Sequence, residues 1–284
     1  MQCLNVKNKE VAALLDQYAD ILGSYNAAYY VLSENNGYGL DKAPNGEPSK
    51  LYNDLLSIYN NDHFMAIRAK SMVYSDNFKN WFGDWLSDNK DNVSKVVDEN
   101  GEPLVVYHGT TTPDITTFDL AKTRSGRAFW FANMEAQKGV FYSNQNNENL
   151  IMMPLFVNMR TPLLNDADSM ESYATDETHD GGLILGKLKD LGFSEEEYQE
   201  LLDKGLNDNS YLATGNVKNP NQLKSATDNV GTFSTTNDDI RYSSITEQPI
   251  KVPSITSFAE RLQVQQQPKF AYLVARGEIS TSCR

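Results

Sequence analysis

Apolar positions recur every three to four residues between Lys9 and Ser33, at Val11, Leu14, Leu15, Tyr18, Ile21, Leu22, Tyr25, Ala28, Tyr29 and Leu32. This is the period of one helical face, and it predicts an amphipathic helix. Asn35-Asn36-Gly37-Tyr38-Gly39 and Pro44-Asn45-Gly46-Glu47-Pro48 read as loops. A second helix is predicted from near Ser49, with Leu51, Leu55, Leu56, Ile58 and Tyr59 apolar, and a third around Met65, Ile67, Ala69, Met72 and Val73. Phe78, Trp81, Phe82 and Trp85 then crowd a short stretch in which Gly83 supplies a helix stop. So much aromatic surface suits an anchor against the next domain.

From Val93 the pattern becomes β-like. Ser94-Lys95-Val96-Val97 and Pro103-Leu104-Val105-Val106-Tyr107 flank Asp98-Glu99-Asn100-Gly101-Glu102, and Asn-Gly between β-branched runs predicts a hairpin. Further strands are predicted over 128–132, 150–157, 182–185, 211–214 and 222–226. A helix from Ser194 to Asp203 interrupts them, signalled by a Ser194/Glu197 capping box and a Phe193/Tyr198 staple. The stretch from Thr161 to Gly186 carries carboxylates without Lys or Arg, which predicts a solvated loop. After Tyr242 the chain turns polar, with two short helical patterns around Pro268. The expected organisation is a helical N-terminal unit over 1–90, an α+β domain over 91–245, and a helical tail or linker over 246–284.

Composition narrows the partners. The 284 residues hold 38 acids against 25 bases, for a net charge of -13. Nucleic-acid affinity rests on Lys and Arg displacing counterions, so duplex DNA is not an expected partner. No apolar run is long enough to span a bilayer and the first residues lack a signal-peptide core, so neither membrane nor secretion is expected. Cys3 and Cys283 lie at opposite ends and read as free thiols, with neither a disulfide framework nor a metal site to be built from them.

Candidate chemistry sits in two segments. Val105-Val106-Tyr107-His108-Gly109-Thr110 ends an apolar strand in an ionisable group, a residue without a side chain and a hydroxyl. Gly109 lets a ligand approach the backbone, and such a trio suits a flat carboxamide or a ribose diol. In Gly126-Arg127-Ala128-Phe129-Trp130-Phe131-Ala132-Asn133-Met134, alternation puts Phe129 and Phe131 on one face and Trp130 on the other. Trp130, with Phe141 and Tyr142 downstream, offers aromatic surface for a cationic planar ring, and oxidised nicotinamide is one.

These segments, with Phe78 to Asp84, Pro220-Asn221-Gln222-Leu223-Lys224-Ser225, Gly231-Thr232-Phe233 and Asp239-Ile240-Arg241-Tyr242-Ser243, resemble the ADP-ribosyltransferase fold. The likeness covers roughly residues 75–245. It is closest to the transferase domains of phage and mobile-element polyvalent proteins, and more distantly extends to poly(ADP-ribose) polymerases. The resemblance implies an α+β fold with a split β-sheet core, NAD as substrate, and mono-ADP-ribosylation of a host macromolecule with release of nicotinamide. A host protein is the expected acceptor, met in the host cytoplasm after delivery, with virion association a further expectation. It implies that His108 bonds a ribose hydroxyl, Gly109 takes the carboxamide, and Trp130 packs beside the nicotinamide. Phe141 or Tyr142 would stack on that ring. The family's third catalytic position falls on Gln222, where an amide replaces the usual carboxylate and can neither accept a proton nor oppose developing positive charge. Thr110 adds a hydroxyl beside His108, and Arg124 and Arg127 are candidates for the diphosphate. The departures at Trp130 and Gln222 leave two alternatives: a weak or non-catalytic NAD-pocket module, and an NAD glycohydrolase with water as acceptor.

Overall fold

The computed structural model describes residues 5–6, 41–123, 127–137, 150–165, 178–229, 233–241 and 279–280. The helix predicted between Lys9 and Ser33 and the patterns around Pro268 lie outside the described residues. Residues 1–78 with 246–284 form one compact unit and 79–245 a second, which begins earlier than the expected boundary at 91.

In the first unit, β1 (Asn5–Val6) pairs with β9 (Ile279–Ser280), and two helices follow the predicted stripes. Helix α1 (Lys50–Ile58) starts where the Ser49 hydroxyl accepts the Tyr52 N–H at 3.0 Å, and it buries Leu51 and Leu55, one turn apart. Helix α2 (His63–Met72) carries the buried Lys70, whose ammonium donates to the Lys42 carbonyl at 2.8 Å and to the Ser49 hydroxyl. A buried ammonium is costly unless its protons are taken, and here they tie α2 to the cap of α1. Helix α3 (Asp76–Phe82) runs across the division between the units. It stops at Gly83 (φ +102°), where a Cβ would stand 2.4 Å from the Asn92 carbonyl oxygen, so only glycine fits.

The second unit is built on a seven-stranded mixed sheet. Its strands are β2 (Val106–Thr110), β3 (Phe129–Ala132), β4 (Ile151–Val157), β5 (Leu163–Leu164), β6 (Gly182–Lys187), β7 (Tyr211–Val217) and β8 (Leu223–Ser225). Their order is β5-β6-β7-β3-β2-β4-β8, antiparallel throughout except for the β5–β6 pair, and the sheet does not close. Alternation gives the sheet two apolar faces. One buries Val106, Phe129, Phe131, Leu155, Val157, Ala213 and Val217 with Phe118 and Ile240 from loops. The other buries Ala132 and Leu212 with Ala136, Leu188, Leu206 and Leu201. Leu201 comes from helix α4 (Glu195–Asp203), whose capping box of Ser194 and Glu197 forms as predicted. Each such side chain removed from water contributes about 1.5–3 kcal/mol, so the sheet is secured from both sides.

Three expectations are modified. The Asn100-Gly101 turn forms, with Asp98 N–H donating to Glu102 O at 2.9 Å and Gly101 at φ +75°, but only the single bridge Val97–Pro103 flanks it. Leu104 N–H still donates to Val96 O at 3.2 Å past that bridge, and a strand resumes only at Val106. Strands β6 and β7 run to Lys187 and Val217, longer than predicted, because they pair with each other across polar and glycine positions that mask the alternation. The acidic stretch from Thr161 to Gly186, predicted as a loop, holds β5 and most of β6, and a two-residue strand such as β5 is too short to show a period.

Candidate functional site

The sheet parts between β2 and β3. Strand β2 pairs with β4 over its whole length, from Val106–Leu155 to Thr110–Ile151, and β3 pairs with β7 from Ala132–Thr214 to Phe129–Val217. Between β2 and β3 the register holds one pair, Tyr107 opposite Ala132. Past it, towards Gly109 and Trp130, the strands are no longer matched.

Alternation along each strand shows which backbone groups face this gap. Ala226 N–H donates to Pro154 O at 2.9 Å and Asn158 N–H to Gln222 O at 2.8 Å, so Pro154 and Asn158 turn towards β8 and Met153 turns towards β2. His108 is opposite Met153 and turns its backbone to β4, which sends that of Gly109 towards β3. Asn133 N–H donates to Ala213 O at 2.7 Å, so Phe131 turns to β7 and the Trp130 carbonyl turns towards β2.

That carbonyl is met by a side chain. His108 Nδ1 lies 2.7 Å from Trp130 O. A carbonyl oxygen only accepts, so Nδ1 carries the proton and Nε2 is left as a lone-pair acceptor. Burial pushes the imidazole below its ordinary titration range, opposed by the bond to Trp130, and among the described residues no neighbouring charge contributes to the shift. His108 is thus neutral at neutral pH, half-buried, with its ring perpendicular to Phe118 at a centroid distance of 4.9 Å.

The predicted residues fall into three groups. His108, Gly109, Thr110 and Trp130 line the two sides of the gap. His108 shares a sheet face with Val106, and Trp130 lies on the opposite face with Ala132, so their side chains meet only through the opening. Thr110 accepts Thr112 N–H at 3.1 Å, and Arg127 is exposed on the approach to β3. Gln222 is not brought to this place. It ends a 3-10 turn, Pro220–Gln222, and its side chain works locally: Oε1 accepts Asn219 N–H at 3.3 Å, and Nε2 donates to Asn158 O at 3.0 Å and Asp180 O at 2.7 Å. Gln222 pairs with Asn158, five residues along β4 from the partner of His108 and two strands across, roughly 19 Å away at ordinary strand spacings. Arg124, Phe141 and Tyr142 lie outside the described residues.

Phe118 is a functional candidate that no sequence pattern marks, since it sits in a run of Thr, Pro and Asp residues without period. Its signal was a lone aromatic in a polar loop, too weak to separate from an exposed one. Among the described residues no group of His, Cys, Asp and Glu could hold a metal ion, and no helix is long and apolar enough to cross a membrane. A cavity of about 310 Å³ lined by Val93, Ser94, Val97, Leu164 and Leu185 lies by β5 and involves none of the predicted residues.

Residues 98–233, just under half of the chain, match the family of ADP-ribosyltransferases in polyvalent proteins. This is the family that the motifs resemble, and the α+β arrangement with its open seven-stranded sheet is consistent with that fold. No curated protein and no solved structure matches the chain.

Proposed function

We propose, from the family of residues 98–233, that the protein is an NAD-dependent mono-ADP-ribosyltransferase that modifies a host macromolecule, a host protein foremost, and releases nicotinamide. The observation that carries this reading is the gap between β2 and β3, bridged by the His108–Trp130 bond. A planar carboxamide fits backbone groups of Gly109 that are directed at the gap, with no Cβ in the way. Trp130 offers its ring beside the nicotinamide. A ribose hydroxyl donates to Nε2 of a neutral His108, the acceptor that the bond at Nδ1 leaves available.

In the reaction the bond between the ribose C1′ and the nicotinamide nitrogen breaks, and its electron pair neutralises the pyridinium. The acceptor nucleophile adds to C1′ from the opposite face and gives its proton to solvent. His108 holds the ribose while positive charge spreads over its ring. A residue acting only at the transition state contributes to rate rather than to binding. Since no charge among the described residues contributes to the His108 shift and Gln222 is engaged elsewhere, slow turnover is the form of this activity that the geometry favours. The same two observations favour, as second reading, a module that binds NAD and turns it over weakly or not at all.

The test is to incubate the protein with NAD carrying a labelled adenosine and with host lysate. Nicotinamide release with label on a macromolecule, both abolished in His108→Ala, supports transfer. Release without labelling assigns hydrolysis, and NAD binding without release assigns the weak module. If neither the wild type nor His108→Ala binds NAD or releases nicotinamide, all three readings fail.

A further inference from the structure

We propose that Phe118 is a positioning residue for His108, a role that rests on the proposed transferase reading: its ring holds the imidazole in the one orientation that keeps Nδ1 on the Trp130 carbonyl and so leaves Nε2 for the ribose. The imidazole has two described contacts. Nδ1 is held by the Trp130 carbonyl at 2.7 Å, and the ring lies at 86° to that of Phe118, 4.9 Å between centroids. The ring pivots about its Cβ–Cγ bond, and one hydrogen bond at Nδ1 opposes that pivot only while it holds. A perpendicular aromatic contact removes that pivot, since such pairs favour an edge-to-face geometry by about 0.5–1.5 kcal/mol beyond their buried area.

Phe118 is itself held more firmly than a loop residue ordinarily is. It is buried, and its ring stacks in tilted fashion on Phe129 of β3 at 5.2 Å. On one side Asp119 caps the 3-10 turn Leu120–Lys122 by accepting Ala121 N–H at 3.0 Å. On the other, Ile240 N–H donates to Thr116 O at 2.7 Å and Thr117 forms a bridge with Asp239. That second strap is secured in turn, because the buried Lys224 donates to the Asp239 carbonyl at 3.0 Å and Ser225 N–H to Ile240 O at 2.9 Å. The chain therefore returns to the sheet after β8 and pins the loop that carries Phe118. Core filling alone needs an apolar residue here; what the perpendicular ring adds is a wall for the imidazole.

The experiment uses the full chain labelled with ¹⁵N-histidine. Its three histidines, His63, His108 and His179, are assigned by single substitution to Gln, and long-range ¹H–¹⁵N spectra report which ring nitrogen carries the proton. The wild type is expected to show one Nδ1–H species at His108. Phe118→Leu, with Phe118→Met as the milder volume-conserving change should the leucine variant fail to fold, is expected to show averaging between tautomers. Nicotinamide release is expected to fall about tenfold in kcat/KM, which corresponds to about 1.4 kcal/mol. Phe118→Tyr, which keeps the ring, is expected to restore the single species. A sharp Nδ1–H state in the leucine or methionine variant, or averaging with an undiminished rate, would overturn the proposal. A wild type that releases no nicotinamide sinks the transferase reading, while the spectra still decide what Phe118 does to the ring.

Discussion

A single carbonyl decides the character of His108. Had Trp130 O turned towards β7, Nδ1 would have had no acceptor and either nitrogen would have carried the proton. Because Asn133 pairs with Ala213, the alternation turns Trp130 the other way and the tautomer follows. Gln222 shows the opposite case, a side chain consumed by its surroundings. Gln222→Ala is expected to cost about 1–3 kcal/mol, as the Asn158 and Asp180 carbonyls lose their donor. Thermal denaturation should register that loss, while nicotinamide release per folded molecule stays within tenfold. Unchanged stability with release down a hundredfold would return Gln222 to the chemistry. Residue chemistry and motif order in the sequence pointed to His108, Gly109 and Trp130 together, and the fold sets them on the neighbouring strands β2 and β3. Motif order misplaced Gln222 because linear order says nothing of sheet order: β8 follows β7 along the chain but sits beyond β4 in the sheet.

At the level of elements, the strands most easily read were those whose apolar residues alternate or run together, β3 and β4 above all. Strand β7 was read short since Gly215 and Asn216 break its pattern, and Gly215 is there for a steric reason. A Cβ at that position would stand 2.4 Å from the Gly182 carbonyl oxygen and 2.8 Å from the Phe131 ring. The backbone of β6 and a core aromatic of β3 both close on the same point. Gly215→Ala is therefore expected to destabilise the fold by about 1–3 kcal/mol through overpacking. In a chain of this size that lowers the midpoint of thermal unfolding by roughly 5 °C, measurable by circular dichroism. An unchanged midpoint would mean that β6 and β3 yield without cost. The hairpin was legible as a turn and not as a long ladder, since the pairing that the turn closes is the one bridge Val97–Pro103 with the bonds on either side of it.

For the molecule as a whole, buried ionisable groups couple stability to pH. Burial lowers the Lys224 ammonium to about 8, and burial with Asp98 nearby raises the Tyr211 phenol to about 12. Between pH 8 and the ordinary lysine value of 10.5 the unfolded chain binds more protons at position 224 than the folded one, so stability rises with pH across that window. Tyr211 acts above pH 10, where the unfolded phenol ionises first and stability falls. Urea unfolding at pH 7.5, 8.5 and 9.5 isolates the lysine: the wild type is expected to gain stability along the series, and Lys224→Met to lose that slope. A flat wild-type series would show that Lys224 keeps its proton in the folded chain.

The single Tyr107–Ala132 pair has a mechanical meaning too. It divides the seven strands into two panels, β5-β6-β7-β3 and β2-β4-β8, each laddered within itself and joined to the other by backbone pairing at one seam. One core cluster packs under both panels, so side chains carry the continuity that the backbone gives up there. A guest lodged past the seam would touch both panels at once and act as a rivet.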